Sequence, residues 1–236
     1  WAEVAPAVLQ IWFGGQEMAD ALVDVLFGDD EPSGRLPTTM PRRLEDTPAF
    51  LSYPGENGQV VYSEGLFTGY RWYEARRLPV AFPFGHGLGY TTFRWGEPSL
   101  DEIPSIAELE AGATVTVTVP VTNSGDRAGS EVVQCFVAPT APRLTRPVRE
   151  LQGFAKVRLE PGGSADVVVV LDHRAFAYWD PGDPGHSERS SRVPVAAGQG
   201  SGPRDEPGWH VDPGTYELHM GRSSADIGHV VAVDLG

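Results

Sequence analysis

Between Tyr62 and Phe93 the sequence reads YSEGLFTGYRWYEARRLPVAFPFGHGLGYTTF, and the periodicity of the chain changes across this stretch. Nine of its residues are aromatic, with Gly65, Gly69, Gly85, Gly87 and Gly89 set among them. An aromatic side chain buries roughly 150–250 Å², and glycine admits turns that a Cβ forbids. Large flat groups beside a bending backbone predict a wedge between packed layers, with alternating strand and helix before it and strand alone after it.

Ahead of the wedge, Val8–Phe13 is an apolar run closed by Gly14 and Gly15. Met18, Leu22, Val25 and Leu26 then recur at helical spacing, with Glu17, Asp20 and Asp24 on the other face and Gly28 at the position of a left-handed cap. A buried strand, a glycine turn and an amphipathic helix predict one unit of a mainly parallel α/β sheet. The Gly14-Gly15 pair lacks the spacing of a phosphate-binding loop and reads as a tight turn. From Asp29 to Pro54 five prolines rule out regular helix, and strands are expected again at Val60–Tyr62 and Leu66–Tyr73.

After Phe93 the period becomes two. Thr114–Val121 alternates threonine with valine, the pattern of a half-buried strand, and Pro120 predicts an edge position at one end. Six further strands are expected at Val132–Val137, Gly153–Leu159, Ala165–Leu171, Trp209–Val211, Thr215–Met220 and Val230–Asp234. Glu160-Pro161-Gly162 and Asp212-Pro213-Gly214 have the residues of type II turns. Seven short strands without a helical period predict a two-sheet sandwich of immunoglobulin type. Pro181–Pro207 offers almost nothing to bury and is expected to be a solvated, mobile insertion.

Charge and composition narrow the function. Acidic residues outnumber basic ones 32 to 18, for a formal net charge of -14, which disfavours nucleic acid and anionic membranes. No apolar run approaches the roughly 18 residues that cross a bilayer, so no membrane partner is expected. The single cysteine, Cys135, excludes an internal disulfide and a thiolate metal cluster. The sequence opens at Trp1 inside an apparent element, so a C-terminal piece of something longer is expected.

The chemistry-bearing residues are sparse. The histidines, at 86, 173, 186, 210, 219 and 229, have no metal-site spacing, and no metal is expected; His210 and His219 are placed to face each other across a hairpin. Ser223-Ser224 follows Gly221-Arg222, which is not a nucleophile elbow. Glu64, between Tyr62 and Phe67, has the aromatic surroundings that raise a carboxyl pKa for general acid work, but it equally fits a pair with Arg71. A glycosidase site needs two carboxylates, and Glu64 has no evident second. Glu74 beside Arg76 and Arg77 reads as an exposed ion-pair residue, and His86 as a boundary residue with local contacts.

Taken together, LVDVLFGDDEPSGRLPTTMP, YSEGLFTGYRWYE and FPFGHGLGYTTF resemble the end of the α/β sandwich domain of family 3 glycoside hydrolases, which include many β-glucosidases and β-xylosidases. VTVPVTNSGDRAGSEVVQCFV, RELQGFAKVRLEPGGSADV and GWHVDPGTYELHMGRSS resemble the fibronectin type III-like domain that comes after it. The expected fold is therefore an α/β sandwich remnant over 1–98, then an all-β immunoglobulin-like (fibronectin type III-like) sandwich over 99–236 with its insertion near 181–207. The resemblance implies a retaining hydrolase of β-linked oligosaccharides or glycosides, with neither metal nor organic cofactor and with room for homo-oligomers. It puts the nucleophilic aspartate on an N-terminal barrel and the acid/base glutamate on a loop of the α/β domain. Both are expected upstream of Trp1, so no catalytic residue is assigned here. Ser63-Glu64-Gly65 repeats three letters of the acid/base segment, but the next residues, Leu66 to Arg71, match a later family motif, and the role is not carried onto Glu64. Gly89 stands where the family's F-G-x-G-L-S-Y motif has serine, a change expected to alter local hydrogen bonding more than fold. The alternative is a stand-alone carbohydrate-binding or assembly module using Trp72, Trp95, Trp179 and Trp209.

Overall fold

The computed structural model describes residues 4–182 and 207–236. Its helices are α1 (Met18–Phe27), α2 (Tyr70–Arg76), α3 (Ile106–Glu110) and α4 (His173–Phe176). The first strands are short: β1 (Met40–Pro41), β2 (Val80–Phe82), β3 (Phe93–Trp95) and β4 (Ser99–Leu100). The long ones come next, β5 (Val115–Asn123), β6 (Gly129–Pro139), β7 (Glu150–Leu159) and β8 (Ser164–Leu171). After β9 (Tyr178–Asp180) and β10 (Gly208–His210) come β11 (Gly214–Ser223) and β12 (Asp226–Leu235). The expected insertion lies outside the described residues except at 181, 182 and 207.

Two antiparallel sheets make the sandwich. One runs β12-β11-β6-β7; in the other β5 is central, with β8 along one side and β3 and β4 sharing the other. β3, ahead of residue 98, thus already pairs with the sandwich, Phe93 opposite Asn123. The alternation in β5 is the reason for the core: Val115, Val117, Val119 and Val121 are fully buried against Val133, Cys135, Leu218 and Met220, while the threonines between them are half-buried. β6 breaks the alternation because both its faces are covered. Val133, Cys135 and Val137 enter the core, whereas Gln134 and Phe136 meet the wedge, so the strand is buried from Gly129 to Ala138. Pro120 does not mark an edge strand as expected. Its carbonyl accepts from Gly96 N (2.8 Å) at the break between β3 and β4, so the missing N–H faces a gap in the pairing.

The two turns differ. Gly162 has φ +73°, and Gly163 N donates to Glu160 O (2.8 Å), as a type II turn requires. The Asp212 carbonyl instead accepts from Tyr216 OH (2.8 Å), while Gly214 takes φ +143°. This half is also not free of helix. α3 starts on a reciprocal capping box between Ser105 and Glu108, and Asp172 caps α4 through Ala175 N. The expectation of strands alone is corrected at those two places.

The N-terminal expectations fare unevenly. α1 forms with its left-handed Gly28 cap at φ +84°, but none of its residues is buried. Val8–Phe13 is not a strand, and Val8, Leu9, Ile11, Trp12 and Phe13 are exposed. A parallel strand exists only through neighbours that satisfy its backbone, and no described residue supplies them. Val60–Tyr62 is unpaired for the same reason, and Leu66–Tyr73, expected as a strand, becomes a turn leading into α2.

Candidate functional site

The residues with chemical potential gather at the seam where the wedge meets β6, β7 and β11. Tyr70, Tyr73 and Glu74 recur at i, i+3 and i+4 on α2, which puts them on one helical face. Tyr70 stacks on Phe84 (4.7 Å between centroids) and meets Phe136 edge-on (5.8 Å), and its hydroxyl accepts from Leu151 N (2.8 Å). Gly85 is the closest approach. A Cβ there would sit 2.1 Å from Gln134 Oε1, and Gln134 Nε2 donates to the Gly85 carbonyl (3.1 Å).

Ion pairs span the same seam. Glu131, almost fully buried, accepts from Arg35 Nη2 (2.9 Å) and Arg222 Nε (3.0 Å). Arg149 Nε and Nη2 donate to Glu74 Oε1 (3.2 and 3.0 Å), and Nη2 also reaches Ser224 O (2.6 Å). Glu31 accepts from Ser130 N and Tyr90 N. A Cβ on Gly89 would lie 2.8 Å from Glu31 Oε2, so the glycine leaves room for that carboxylate.

Several sequence expectations shift here. Arg71 does not pair with Glu64; its Nη1 donates to Glu150 Oε1 (3.0 Å). Glu64 lies in a turn, its carbonyl accepting from Phe67 N (3.0 Å), and its Oε2 has no donor among the described residues. Glu74 is largely buried rather than exposed, and its partner is Arg149, not Arg76 or Arg77. His210 and His219 do not face each other: His210 pairs with Tyr178 on β9, whereas His219 lies opposite Val230 and Phe136. His219 Nε2 is 2.9 Å from Glu217 Oε2. His86 stacks on Phe82, and burial first, then the Arg35 charge, lowers its pKa. Ser223 Oγ accepts from Ala225 N and Asp226 N in the β11–β12 turn. Burial pushes the Cys135 thiol up to about 12, which keeps it protonated at neutral pH.

The reading of the sequence missed Arg35, Glu131 and Arg149. A signal existed for one of them: Glu131 directly precedes the apolar run from Val132, and an acid buried there needs a cation.

Burial raises the Glu74 pKa above its ordinary 4.5, outweighing Arg149, and Glu74 Oε2 is enclosed without a donor among the described residues. The folded state therefore binds this proton more tightly than the unfolded state. The resulting stability is full below the ordinary carboxylate range and is lost as pH rises through the elevated value. We expect wild type to gain stability relative to Glu74→Gln as pH falls from about 7 to about 4. Urea midpoints of both proteins across that range check it, and a pH-independent difference contradicts it.

Residues 1–90 match the glycosyl hydrolase family 3 C-terminal domain, and residues 131–224 match the fibronectin type III-like domain. A probable beta-glucosidase I of Emericella nidulans is 49% identical over 181 residues, 76% of this chain and 22% of that protein. A beta-glucosidase of Rhizobium radiobacter is 43% identical over 240 residues, 100% of this chain and 26% of its own length. Among solved structures, a beta-glucosidase from Kluyveromyces marxianus superposes with TM-score 0.81 at 36% identity, covering 100% of this chain and 25% of that one. The GH3 beta-glucosidase of Bifidobacterium adolescentis gives TM-score 0.78 at 38% identity, over 96% of this chain and 29% of that one. The chain spans about a quarter of the length of these relatives.

Proposed function

Because the chain belongs to the family 3 glycoside hydrolases, as the end of the α/β sandwich domain joined to the fibronectin type III-like domain, we propose that it is the non-catalytic C-terminal portion of a retaining β-glycosidase. The enzyme releases terminal β-linked sugars from oligosaccharides or glycosides. Its two carboxyl groups, about 5 Å apart in a double-displacement mechanism, belong to the upstream part. One observation carries the reading. The sandwich buries a continuous core between its two sheets, whereas the residues ahead of the wedge leave large apolar side chains on the surface, with Phe13 102%, Phe27 82% and Leu51 96% exposed. We read these side chains as part of the surface that packs against the upstream portion. The seam then acts as a brace that fixes the wedge relative to the sandwich.

The test is hydrolysis of an aryl β-glucoside. The 236 residues alone give no turnover. Joined to the upstream three-quarters of the Rhizobium radiobacter beta-glucosidase in place of that enzyme's own C-terminal part, they support it. Turnover by the chain alone that disappears in Glu64→Gln sinks this reading.

A further inference from the structure

The tryptophans divide into two kinds. Trp72 Nε1 donates to Asp46 O (2.9 Å), and Trp95 stacks on His229 with the Arg222 guanidinium 4.7 Å above its ring. Both are half-buried parts of the packing. Trp179 and Trp209 differ. They sit directly opposite each other on the two-stranded β9–β10 ribbon, with ring centroids 5.7 Å apart at 67°. The ribbon turns Tyr178 and Asp180 inward, which leaves both indoles on its outer face, 51% and 45% exposed. Arg174 covers one face of Trp209, its guanidinium 3.4 Å from the ring centroid, and so brings a polar edge to the same place.

We propose that Trp179, Trp209 and Arg174 form a binding platform for a β-linked glucose oligosaccharide. The two half-exposed indoles offer roughly 200 Å², the scale of a few sugar rings rather than of the about 800 Å² per side in a stable protein interface. The net charge of -14 disfavours an anionic ligand. The platform suits a small neutral molecule with a flat apolar face and a polar rim. A pyranose with equatorial substituents is such a molecule: its axial C–H bonds lie against the Trp179 ring, and its rim hydroxyls accept from Arg174. The choice of glucose as the repeating sugar rests on the function proposed above, while the flat, neutral character of the ligand rests on the platform alone.

Calorimetric titration of the 236-residue chain with cellohexaose, and with maltohexaose as an α-linked control, tests it. We expect saturable cellohexaose binding with Kd in the range of roughly 0.1–1 mM. Trp179→Ala weakens it at least fivefold while the chain keeps a cooperative thermal transition, because the Arg174–Trp209 stack and the sandwich core stay, and maltohexaose binds at least fivefold more weakly. Absence of saturable binding, undiminished binding by Trp179→Ala, or equal binding of the two sugars overturns the proposal. Any of these leaves the hydrolysis result with the joined enzyme standing. Loss of that activity alongside intact cellohexaose binding counts against the proposed function only.

Discussion

Truncating Phe136 to alanine is expected to cost the chain about 3–5 kcal/mol, the range for deleting a fully buried aromatic ring. Phe136 is 0% exposed. It sits on the face of β6 turned away from the sandwich core, with Tyr70 and Phe84 edge-on against it at 5.8 and 6.5 Å. Two features make the site slow to collapse around a cavity. Tyr70 is fixed by its hydroxyl on Leu151 N, and Phe84 is fixed through its carbonyl, which accepts from Ser224 N (2.9 Å). The void therefore stays open, and the full transfer and cavity cost is felt. Phe136→Leu retains most of the volume and loses less than half as much. Urea unfolding curves for both variants decide the matter. A loss below about 1 kcal/mol for Phe136→Ala means that the wedge does not pack on the sheet as described.

The same strand shows what was legible in the sequence and what was not. Alternation located β5 because it has one face in the core, and side-chain direction in a strand has a period of two whatever lies on the other side. In β6 the run VVQCFV located the strand but hid the second interface, since a strand buried on both faces carries no alternation. The wedge was misread at Leu66–Tyr73 because Phe67, Tyr70, Trp72 and Tyr73 have high strand propensity. The decisive signal was the helical spacing of Tyr70, Tyr73 and Glu74, whose faces match Phe136 and Arg149. Val8–Phe13 was misread for a different reason. Its composition suits a buried strand, but hydrogen-bonding neighbours are not a property of the segment itself, and among the described residues it has none. In ion pairs such as Arg35–Glu131, separated by 96 positions, the acid at the edge of an apolar run calls for a cation, but nothing local in the sequence says which residue supplies it.

Glu131 provides the second large effect. Its carboxylate is 3% exposed and holds Arg35 on one oxygen and Arg222 on the other, while Oε1 also accepts from its own neighbour Val132 N (2.9 Å). The two cations are not equivalent. Arg35 is 13% exposed and depends on this pair, whereas Arg222 is 37% exposed and keeps its bond to Phe93 O and its place over Trp95. Replacing the acid with an apolar side chain of similar length leaves Arg35 as an uncompensated cation in a site with little water. We expect Glu131→Met to lose about 3–5 kcal/mol, the cost of breaking one side of a buried pair. The double variant Arg35→Met/Glu131→Met removes the stranded charge as well. Apolar replacement of a whole buried pair is often neutral, so the double variant should recover at least half of that loss, with Arg222 relaxing toward solvent. Chemical denaturation of wild type, both single variants and the double closes the cycle. If the double is as unstable as Glu131→Met alone, the loss belongs to the abandoned Val132 N–H and to packing, and the seam is held by its aromatic contacts rather than by paired charge.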